Sequence, residues 1–592
     1  MAGTVDSDPT PIAAGPAAAG PAAAGHAAAG HAAAGHAAAS HAAASHAATS
    51  HAATGLQMAG PTGRAVAMIG FMGAGKSTAA VSAAQALGGD AVDLDRVVEQ
   101  RLGKPIERIF AEDGEGAFRA AEERITLELL GGDGTVEPAG SGRGGPGGRV
   151  RVISLGGGAL GSARVRDALA AHLAVWIDVD LDTAWGRCQG TGRPLAADRA
   201  EFERLFATRE PIYAAAADVV VPHQCSNDMA SVLAALEGLP ATGVGGQGRS
   251  GIKLLWATCN SGDYPAYIGP GLLGGHQFWP ATVPGRRFLV TDYNAGRLYG
   301  EALSPLDGRV TIMPGEQSKT IAHAEIVWSE LARAGMTRSD VVAALGGGVV
   351  GDLAGFCAAT YQRGVRLVQV PTTLVAQVDS AYGGKTGVDL SEAKNYVGAY
   401  HQPRAVIADT EALSTLPAAE LSAGYAEVVK TALIAGGGLW ELVRSGADPA
   451  APAVVTACAR TKLRIVAQDE RDDGVRQTLN LGHTVGHAIE TVTGYATYRH
   501  GEAVALGLLA ALRLSGNGDL RDEVAALLRA RGLPTGLTDV DPDAVVMATA
   551  RDKKRLGDGP VPFVLLSAPG QARPGSPVAP RELIAAIREL AS

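Results

Sequence analysis

A short apolar segment followed by a glycine-rich loop constrains the fold of this 592-residue chain more than any other feature. Residues 65–69 (Ala-Val-Ala-Met-Ile) predict a strand, and residues 70–77 directly after it fit the pattern GxxxxGK[ST]. Glycines let such a loop curl so that its N–H groups face phosphate oxygens, and the helix that follows points its positive end at the same anion. We expect Lys76 to reach the terminal phosphates and Ser77 to ligate Mg²⁺. The sequence therefore predicts nucleotide binding.

The composition limits which partners the protein is expected to bind and in which compartment it is expected to occur. The net charge is −9 and the basic residues are scattered, which excludes a nucleic-acid or anionic-membrane partner. The five cysteines form no CxxC pair, so we expect a reduced cytoplasmic protein whose thiols fill the core. Residues 9–63 carry no charged side chain but also no strongly apolar stretch, so neither a signal peptide nor a membrane segment is predicted.

A pentad repeat occupies the first part of the chain. From residue 15 the sequence runs PAAAG, HAAAG, HAAAS and close variants, with a histidine at every fifth position from 26 to 51. A period of five advances about 140° per repeat on a helix, so these imidazoles would share no face. We therefore expect residues 1–60 to be a disordered tail, with weak metal chelation by its histidines as the alternative.

Strand-like and helix-like segments alternate through the rest of the chain, which is typical of α/β proteins. The predicted fold is a P-loop parallel-sheet domain like that of nucleoside monophosphate kinases, followed by a Rossmann-like α/β half and an α-helical half. A Gly- and Pro-rich surface insertion is expected at residues 131–148. The expected boundaries are 61–240 for the P-loop domain, 241–251 for a Gly-rich linker, 252–412 for the α/β half and 413–592 for the helical half.

Three histidines in the helical half suggest a metal site. His483 and His487 stand four residues apart and would share one helix face, and His500 follows 13 residues later. Neutral imidazoles that converge on one point suit zinc. Polar surface histidines are the alternative, because the pattern HxxxH is short.

Five motifs follow the P-loop in a fixed order. They are Asp-Leu-Asp at 93–95, Phe-Arg-Ala-Ala-Glu at 118–122, Ser-Leu-Gly-Gly-Gly at 154–158, Gly-Arg-Pro-Leu at 192–195 and Arg-Glu-Pro-Ile-Tyr at 209–213. At these spacings residues 64–237 resemble shikimate kinase. The resemblance implies ATP-dependent 3-phosphorylation of shikimate, with Mg²⁺.

The same resemblance implies a role for each matched residue. ATP would contact Gly73, Gly75, Lys76, Ser77, Thr78, Arg187 and Arg193, and shikimate would contact Asp95, Arg119, Gly157, Gly158 and Arg209. Ser77 and Asp93 would lie near Mg²⁺. Lys76, Asp95 and Arg193 would act in catalysis, with Asp95 orienting the attacking hydroxyl and Arg193 closing on a mobile lid.

The second folded region carries long motifs that occur in a fixed order. A glycine run at 346–348 follows an apolar segment, Pro-Gly-Glu-Gln-Ser-Lys at 314–319 precedes it, and residues 371–386 and the histidine stretch follow it. Together they resemble 3-dehydroquinate synthase over residues 252–592. The resemblance implies that 3-deoxy-arabino-heptulosonate 7-phosphate is cyclised to 3-dehydroquinate with release of phosphate, and that NAD is regenerated in each cycle.

Residue roles follow from this second resemblance. The zinc or cobalt ligands would be Glu427, His483 and His500. NAD would contact Asp292, Glu316, Lys319, Gly346, Gly347, Gly348, Asp352, Thr372, Thr373, Lys385 and Lys394. The substrate would contact Arg363, Asp379, Lys385, Lys394, Asn395, Lys430, Lys462, Arg476, Asn480, His487, Lys553 and Lys554. Among these, Lys385, Lys430, Lys462, Arg476 and His487 would be catalytic.

The leading hypothesis is a bifunctional enzyme with small-molecule substrates, which forms a homodimer through its synthase half. The kinase could instead be fused to another sugar-phosphate cyclase or, more distantly, to a relative of iron-dependent alcohol dehydrogenases. In a different class of function, one domain would be inactive and serve as a scaffold. The many basic residues of the second region favour a substrate that carries both a phosphate and a carboxylate.

Overall fold

The structure, a computed structural model, describes residues 64–131, 150–191, 194–239, 251–275, 277–391, 394–549 and 562–591. The expected tail, nearly all of the expected insertion and the linker up to residue 250 lie outside these residues. Within the described ranges, no helix combines the length and apolar composition needed to cross a bilayer.

The first region alternates strands and helices as its P-loop pattern predicts. Aspartates at N-cap positions begin several helices: the Asp93 carboxylate, for example, accepts the backbone N–H of Arg96. The strands are β1 (Val66–Ile69), β2 (Asp90–Asp93), β3 (Arg151–Ser154), β4 (Leu173–Asp178) and β5 (Val219–Pro222). The helices are α1 (Lys76–Leu87), α2 (Leu94–Leu102), α3 (Ile106–Glu112), α4 (Gly114–Gly131), α5 (Ala163–Leu169), α6 (Leu181–Cys188), α7 (Arg199–Ala216) and α8 (Met229–Ala234).

The second region begins with another α/β unit. Its strands are β6 (Lys253–Ala257), β7 (Tyr264–Gly269), β8 (Arg287–Asp292), β9 (Gly308–Ile312), β10 (Val341–Gly346), β11 (Arg366–Pro371), β12 (Lys385–Val388), β13 (Val397–Tyr400) and β14 (Ala405–Asp409). Its helices are α9 (Tyr293–Tyr299), α10 (Ile321–Arg333) and α11 (Gly348–Thr360).

The remainder is mostly helical. Pro452 and Pro580 stand in the first turn of their helices, where a missing N–H costs nothing. The helices are α12 (Ala418–Ala435), α13 (Gly437–Arg444), α14 (Pro452–Gln468), α15 (His483–Val492), α16 (His500–Leu514), α17 (Gly518–Ala530), α18 (Pro542–Thr549) and α19 (Pro580–Leu590). A small hairpin, β15 (Phe563–Leu566) with β16 (Ala572–Ser576), lies among them.

Twelve strands form one sheet in the order β2-β3-β1-β4-β5-β6-β7-β14-β11-β10-β8-β9. The strands from β2 to β6 in this order are mutually parallel, β6 pairs antiparallel with β7, and the strands from β7 to β9 are again mutually parallel. The two sets of strands therefore end at opposite edges of the sheet. Strands β4, β7 and β10 are buried along their whole length, as expected of strands with both faces covered. The predicted fold class is confirmed.

The two regions meet in this sheet through β5 and β6. Val219 pairs with Leu254, and Val220 pairs with Leu255. Lys253, which begins β6, donates from Nζ to the carbonyl oxygens of Ala214 and Ala217, each at 2.7 Å, and so closes the carboxyl end of α7. Residues on the far side of the expected linker thus complete a helix of the first region.

We expect Lys253→Ala to loosen this junction. Losing a charged donor to two carbonyls costs about 2 kcal/mol, so the amides of β5 are expected to exchange with solvent about tenfold faster or more. Native-state hydrogen exchange measures this. Lys104→Ala removes a surface lysine that pairs with Glu112 at 3.2 Å and is the matched control. Equal protection of β5 in both variants would contradict the assignment.

Candidate functional site

The glycine-rich loop lies between β1 and α1. Gly70, Gly73 and Gly75 have φ values of 138°, 79° and 98°, which favour glycine over any residue with a side chain. Lys76, the first residue of α1, donates from Nζ to the Phe71 carbonyl at 3.0 Å, so the lysine is folded over its own loop. Thr78 is exposed in the first turn of α1. The loop therefore offers backbone N–H groups, a cation and hydroxyls to an anion.

Two hydroxyls and a carboxylate meet beside this loop. Ser77 Oγ donates to Asp93 Oδ2 at 2.6 Å and lies 3.4 Å from Ser154 Oγ. Asp93 ends β2 and Ser154 ends β3, so the carboxyl ends of neighbouring parallel strands bring them together. Oxygen donors of this kind suit Mg²⁺. On the other side, Arg187 Nη1 donates to the Gly73 carbonyl at 3.0 Å, which brings the expected adenine contact to the loop.

A cavity of about 380 Å³ opens next to the loop. Its polar lining includes Arg119, Glu122, Arg209 and Tyr213, together with the backbone at Gly157 and Gly158. A Cβ at Gly158 would overlap Arg119 Nη1, so a larger residue there would displace the guanidinium from its present position. The expected contacts Arg119, Gly157, Gly158 and Arg209 therefore share one cavity.

The two arginines of the cavity differ in charge balance. Arg119 pairs with Glu122 at 2.6 Å and with Glu115 at 3.0 Å. Burial alone would lower its pKa, but these carboxylates outweigh burial and raise it. Burial lowers the pKa of Arg209 below its ordinary value. The positive charge of Arg209 is less compensated by neighbouring carboxylates than that of Arg119. An incoming carboxylate would therefore stabilise the charge of Arg209 more strongly.

The structure describes one of the two other expected residues of the first region. Asp95 lies in the first turn of α2, close enough to the cavity wall that a Cβ at Gly156 would lie 3.3 Å from its Oδ1. Arg193 and its neighbour Gly192 lie outside the described residues.

A second glycine-rich turn joins β10 to α11. Helix α11 begins at Gly348 with no side-chain cap, which leaves its first N–H groups available to an anion. Side chains approach the turn closely: a Cβ at Gly347 would lie 2.9 Å from Thr373 Cγ2, and one at Gly346 would lie 3.0 Å from Asp292 Oδ2. Thr372 donates its N–H to the Gly346 carbonyl at 2.9 Å. Six of the expected NAD contacts therefore lie in or beside one turn.

A chain of charges leads from this turn towards the helical half. Lys319 pairs with Asp352 at 2.6 Å and lies 4.0 Å from Glu316. Lys394 pairs with Glu316 at 3.1 Å and with Glu490 at 3.4 Å. Burial alone would lower the pKa of Lys394, but Glu490 and Glu316 outweigh burial and raise it. Lys394 therefore stays protonated and links the α/β half to the helix that carries the histidines.

Glu427, His483 and His500 converge from three helices. Glu427 Oε1 lies 3.5 Å from His483 Nε2 and 3.3 Å from His500 Nε2, and the three donor atoms lie within 4.8 Å of one another. A second group, His487, Glu490 and His500, meets the same distance limit. Oxygen and imidazole donors at this spacing could hold a divalent metal.

The titration of these groups fits a site that attracts cations. Burial alone would raise the pKa of Glu427, but Lys430 and the imidazoles hold it well below its ordinary value. Burial alone would lower the pKa of His500, but Glu427 and Glu490 raise it to about 10. Neither oxygen of the fully buried Glu427 accepts a well-formed hydrogen bond from the described protein atoms, although Lys430 Nζ lies 2.5 Å from Oε2.

Glycines let the three helices approach closely enough. A Cβ at Gly501 of α16 would overlap the carbonyl of Ala423, one turn before Glu427 on α12. A Cβ at Gly507 of α16 would overlap the carbonyl of Gly482, the residue before His483. Two glycines on one helix therefore set its distance to both partner helices.

A cluster of cations and Asp379 borders the three ligand candidates. Asp379 lies in a π-helical turn, Ala376–Ser380, a distortion that often marks functional sites. Its carboxylate lies 3.6 Å from Lys430 Nζ and 2.5 Å from Lys462 Nζ. Burial lowers the pKa of Lys462 to about 8, despite this pairing with Asp379. Both lysines are buried, and an anion that enters the site would meet two cations already paired with carboxylates.

Other expected substrate contacts occupy varied positions. Arg476 is 1% exposed and donates to the carbonyls of Glu470 and Gly383, at 2.5 and 2.9 Å. Lys385 pairs with Asp472, and Asn395 donates its N–H to Asp389 Oδ1 at 2.8 Å with a φ of 58°. Asn480 ends the turn before α15.

Arg363 lies at the opposite end of α11 from the glycine turn. It follows the carboxyl end of α11, whereas the glycine turn is at the amino end, about 20 Å away along the helix. Lys553 and Lys554 lie outside the described residues.

Sequence reasoning gave no role to Glu490, Glu122 or Tyr213. Glu490 is buried and contacts both His500 (3.4 Å) and Lys394. A signal was present, because Glu490 stands seven residues after His483 and therefore on the same helix face. Glu122 and Tyr213 belong to quoted motifs, and their position three or four residues from an expected arginine gave the equivalent signal.

Family models match most of the described chain. A shikimate kinase model matches residues 72–143 and 148–239. Models of the N-terminal and C-terminal parts of 3-dehydroquinate synthase match residues 309–423 and 424–555.

Individual proteins similar to about half of the chain are synthases. The 3-dehydroquinate synthase of Halorhodospira halophila is 45% identical over 353 residues, 56% of this chain and 98% of that protein. A solved 2-deoxy-scyllo-inosose synthase, complexed with carbaglucose-6-phosphate, NAD+ and Co2+, has a TM-score of 0.52 at 25% identity and covers 57% of this chain and 100% of its own. A 2-epi-5-epi-valiolone synthase from Streptomyces hygroscopicus, with NAD+ and Zn2+ bound, has a TM-score of 0.51 at 28% identity and covers 55% and 96%.

We expect Gly507→Ala to separate His483 from His500. The added methyl has no room against the Gly482 carbonyl, so the chain must shift at a cost of about 1–3 kcal/mol. The affinity for added Zn²⁺, measured by competition with a chromophoric chelator, is expected to fall. Gly518→Ala is the matched control, since a Cβ at Gly518 meets open space. Equal Zn²⁺ affinity in the two variants would show that α16 does not set the geometry.

Proposed function

Because the chain belongs to the 3-dehydroquinate synthase family and carries a shikimate kinase domain before it, it is a bifunctional enzyme of the shikimate pathway, and we propose the following assignment of its residues. The kinase site lies between the glycine-rich loop and the 380 Å³ cavity. The synthase site lies between the glycine turn before α11 and the Glu427 cluster.

In the kinase, the loop at 70–77 binds the phosphates of ATP, and Ser77 with Asp93 holds Mg²⁺. Arg119 and Arg209 bind the carboxylate of shikimate, because paired guanidinium groups suit a planar anion. Asp95 orients the attacking hydroxyl and accepts its proton. Lys76 stabilises negative charge on the transferring group, and Arg193 adds to it from the lid.

In the synthase, Glu427, His483 and His500 hold zinc or cobalt. The single observation that carries this assignment is a fully buried carboxylate without a well-formed hydrogen bond, facing two imidazoles. Lys430 compensates Oε2, whereas Oε1 faces the two imidazoles, and a divalent metal between these donors would compensate it. The glycine turn, with Asp292 and Thr373 beside it, fits the pyrophosphate and ribose of NAD. When bound, the metal supplies Lewis acidity and NAD accepts and returns a hydride.

The chain's own residues bind and orient the substrate. Lys430 and Lys462 place two buried positive charges beside the metal ligands, where a phosphate and a carboxylate lose water. Lys385, Lys394, Asn395, Arg476, Asn480, Lys553 and Lys554 complete the proposed set of contacts. His487 faces the substrate phosphate, or water near it, without ligating the metal. Arg363 is a further proposed substrate contact, and the protein is proposed to form a homodimer through its synthase half.

Full-length protein tests the assignment directly. ATP with shikimate should give ADP, and heptulosonate 7-phosphate with NAD should release inorganic phosphate that chelation abolishes and zinc or cobalt restores. A protein that cyclises another sugar phosphate and not this one would be a different cyclase. The five free cysteines support the proposed cytoplasmic location.

Substitution of the histidines separates the two donor groups. His483→Ala and His500→Ala are expected to empty the metal site, because each removes one of three protein ligands. His487→Ala is expected to keep one metal per chain but lower synthase turnover by about 10²-fold or more. Elemental analysis of the purified variants measures the metal. If His487→Ala loses metal as readily as the other two, the ligand assignment is wrong. Loss of metal from His487→Ala and His500→Ala, with metal retained in His483→Ala, would indicate His487, Glu490 and His500 as the ligands.

Lys76→Ala tests whether the two sites work independently. Removing the phosphate-binding cation is expected to lower kinase turnover by about 10²-fold or more. Synthase turnover of the same preparation should stay within about twofold, since Lys76 begins α1 of the kinase region and donates to its own loop at Phe71. Coupled loss of both activities would contradict independent chemistry.

A further inference from the structure

One arginine of the synthase region is buried against the kinase region. Arg460 of α14 donates from Nε and Nη2 to the two oxygens of Asp178, at 2.7 and 2.8 Å, and from Nη1 to Glu210. Its guanidinium lies 4.0 Å from the ring centre of Trp176. The side chain is 12% exposed and that of Asp178 is 6% exposed. A bidentate pair at this depth holds its partners in one geometry.

Glu210 lies at the weakest point of α7. Pro211 stands inside the helix and lacks the N–H that would bind the Ala207 carbonyl. The adjacent Arg209 lines the kinase cavity, as does Tyr213 one turn later. The turn that presents Arg209 therefore lacks part of its own hydrogen bonding.

Two synthase elements brace this turn from outside. Arg460 holds Glu210, and Gly438 of α13 packs so closely that a Cβ there would lie 3.3 Å from Glu210 Oε2 and 3.4 Å from Pro211 Cγ. The kinase region alone supplies neither contact.

A second route runs through the aromatic rings. The ring of Trp176, under the Arg460 guanidinium, lies 6.0 Å from the Tyr213 ring. Tyr213 Oη donates to the Gly157 carbonyl at 2.5 Å, and Gly157 is part of the cavity wall. Arg460 therefore contacts Glu210, next to Arg209, and Trp176, which lies near Tyr213. It is not itself among the residues that line the cavity.

We propose that Arg460, supplied by the synthase region, is a positioning residue for the shikimate pocket of the kinase. The proposal rests on the proposed kinase site. Arg460 keeps the Pro211 turn and the end of β4 fixed, so that Arg209 and Gly157 hold shikimate with the correct spacing. The kinase pocket is therefore complete only when the synthase region is folded against it.

The test uses the full-length protein and both reactions. Arg460→Met is expected to raise the kinase KM for shikimate about tenfold, while the KM for ATP and kcat change within about threefold. Arg460→Lys, which keeps one charged contact, should fall between Arg460→Met and the wild type. Arg444→Met is the matched control: Arg444 lies on α13 and pairs with Glu523 at 2.7 Å within the synthase region. It should leave both reactions unchanged.

Glu210→Gln tests the same contact from the kinase side and keeps the shape of the side chain. It should raise the KM for shikimate in the same direction, and Arg460→Met combined with Glu210→Gln should be no worse than Arg460→Met alone. Should Arg460→Met fail to fold, as loss of synthase turnover would reveal, Glu210→Gln decides.

An unchanged KM for shikimate in folded Arg460→Met, or in Glu210→Gln when Arg460→Met does not fold, would overturn the proposal and reduce Arg460 to a structural contact. If wild-type protein does not phosphorylate shikimate, the kinase assignment itself fails, and this outcome is distinct from an active wild type with unaffected variants.

Discussion

The parallel strands of one twisted sheet determine where chemistry can occur in this protein. A parallel strand covered on both faces has no room for polar side chains along its length, so functional groups collect in the turns after its carboxyl end. The glycine-rich loop follows β1, Asp93 ends β2, Gly157 follows β3, and the second glycine turn follows β10. Because strand direction reverses between β6 and β7, these turns form two separate sets. One sheet can therefore support two unrelated reactions.

The second constraint is the free-energy cost of burying charged side chains, which pairing with an opposite charge reduces. Asp379, Lys430, Lys462 and Glu427 lie in one buried group whose members alternate in sign. Taking each charge out of water is costly unless a partner of opposite sign stands within a few ångströms. Neither Glu427 oxygen accepts a well-formed hydrogen bond from the described protein atoms, and burial lowers the pKa of Lys462 to about 8 despite its close pairing with Asp379. The same places that are least satisfied are those where a cation and an anionic substrate are proposed to bind.

Much of this architecture could be predicted from local sequence patterns. The P-loop, the strand segments, the glycine turn before α11 and the convergence expected of Glu427, His483 and His500 could all be predicted, because each depends on spacing or on an ordered set of motifs. Arg476 shows the limit. Taken alone its charge indicates solvated surface, and the resemblance implies a substrate contact. The side chain is buried and its described hydrogen bonds go to main-chain carbonyls, because packing decides where a buried guanidinium points.

Contacts between the two regions could not be predicted for a related reason. Arg460 and Asp178 are 282 residues apart, and nothing periodic connects them. A glycine-rich stretch at 241–251 predicts a flexible connection, but flexibility of a connection does not determine whether the units it joins pack together. The pairing of β5 with β6 and the contacts of Lys253 depend on the complete sheet.

Helix α14 connects the two enzyme regions physically, because it makes a charged contact with each of them. Arg460 and Lys462 stand two residues apart, about 200° around the helix axis, so one faces the kinase and the other faces Asp379 of the synthase. A helix with a charged contact on each face cannot shift towards one partner without moving relative to the other. The two proposed sites have separate chemistry and separate substrates, yet both depend on the position of α14. On this argument, the covalent link between the regions keeps α14 in position between the two sites rather than bringing substrates together.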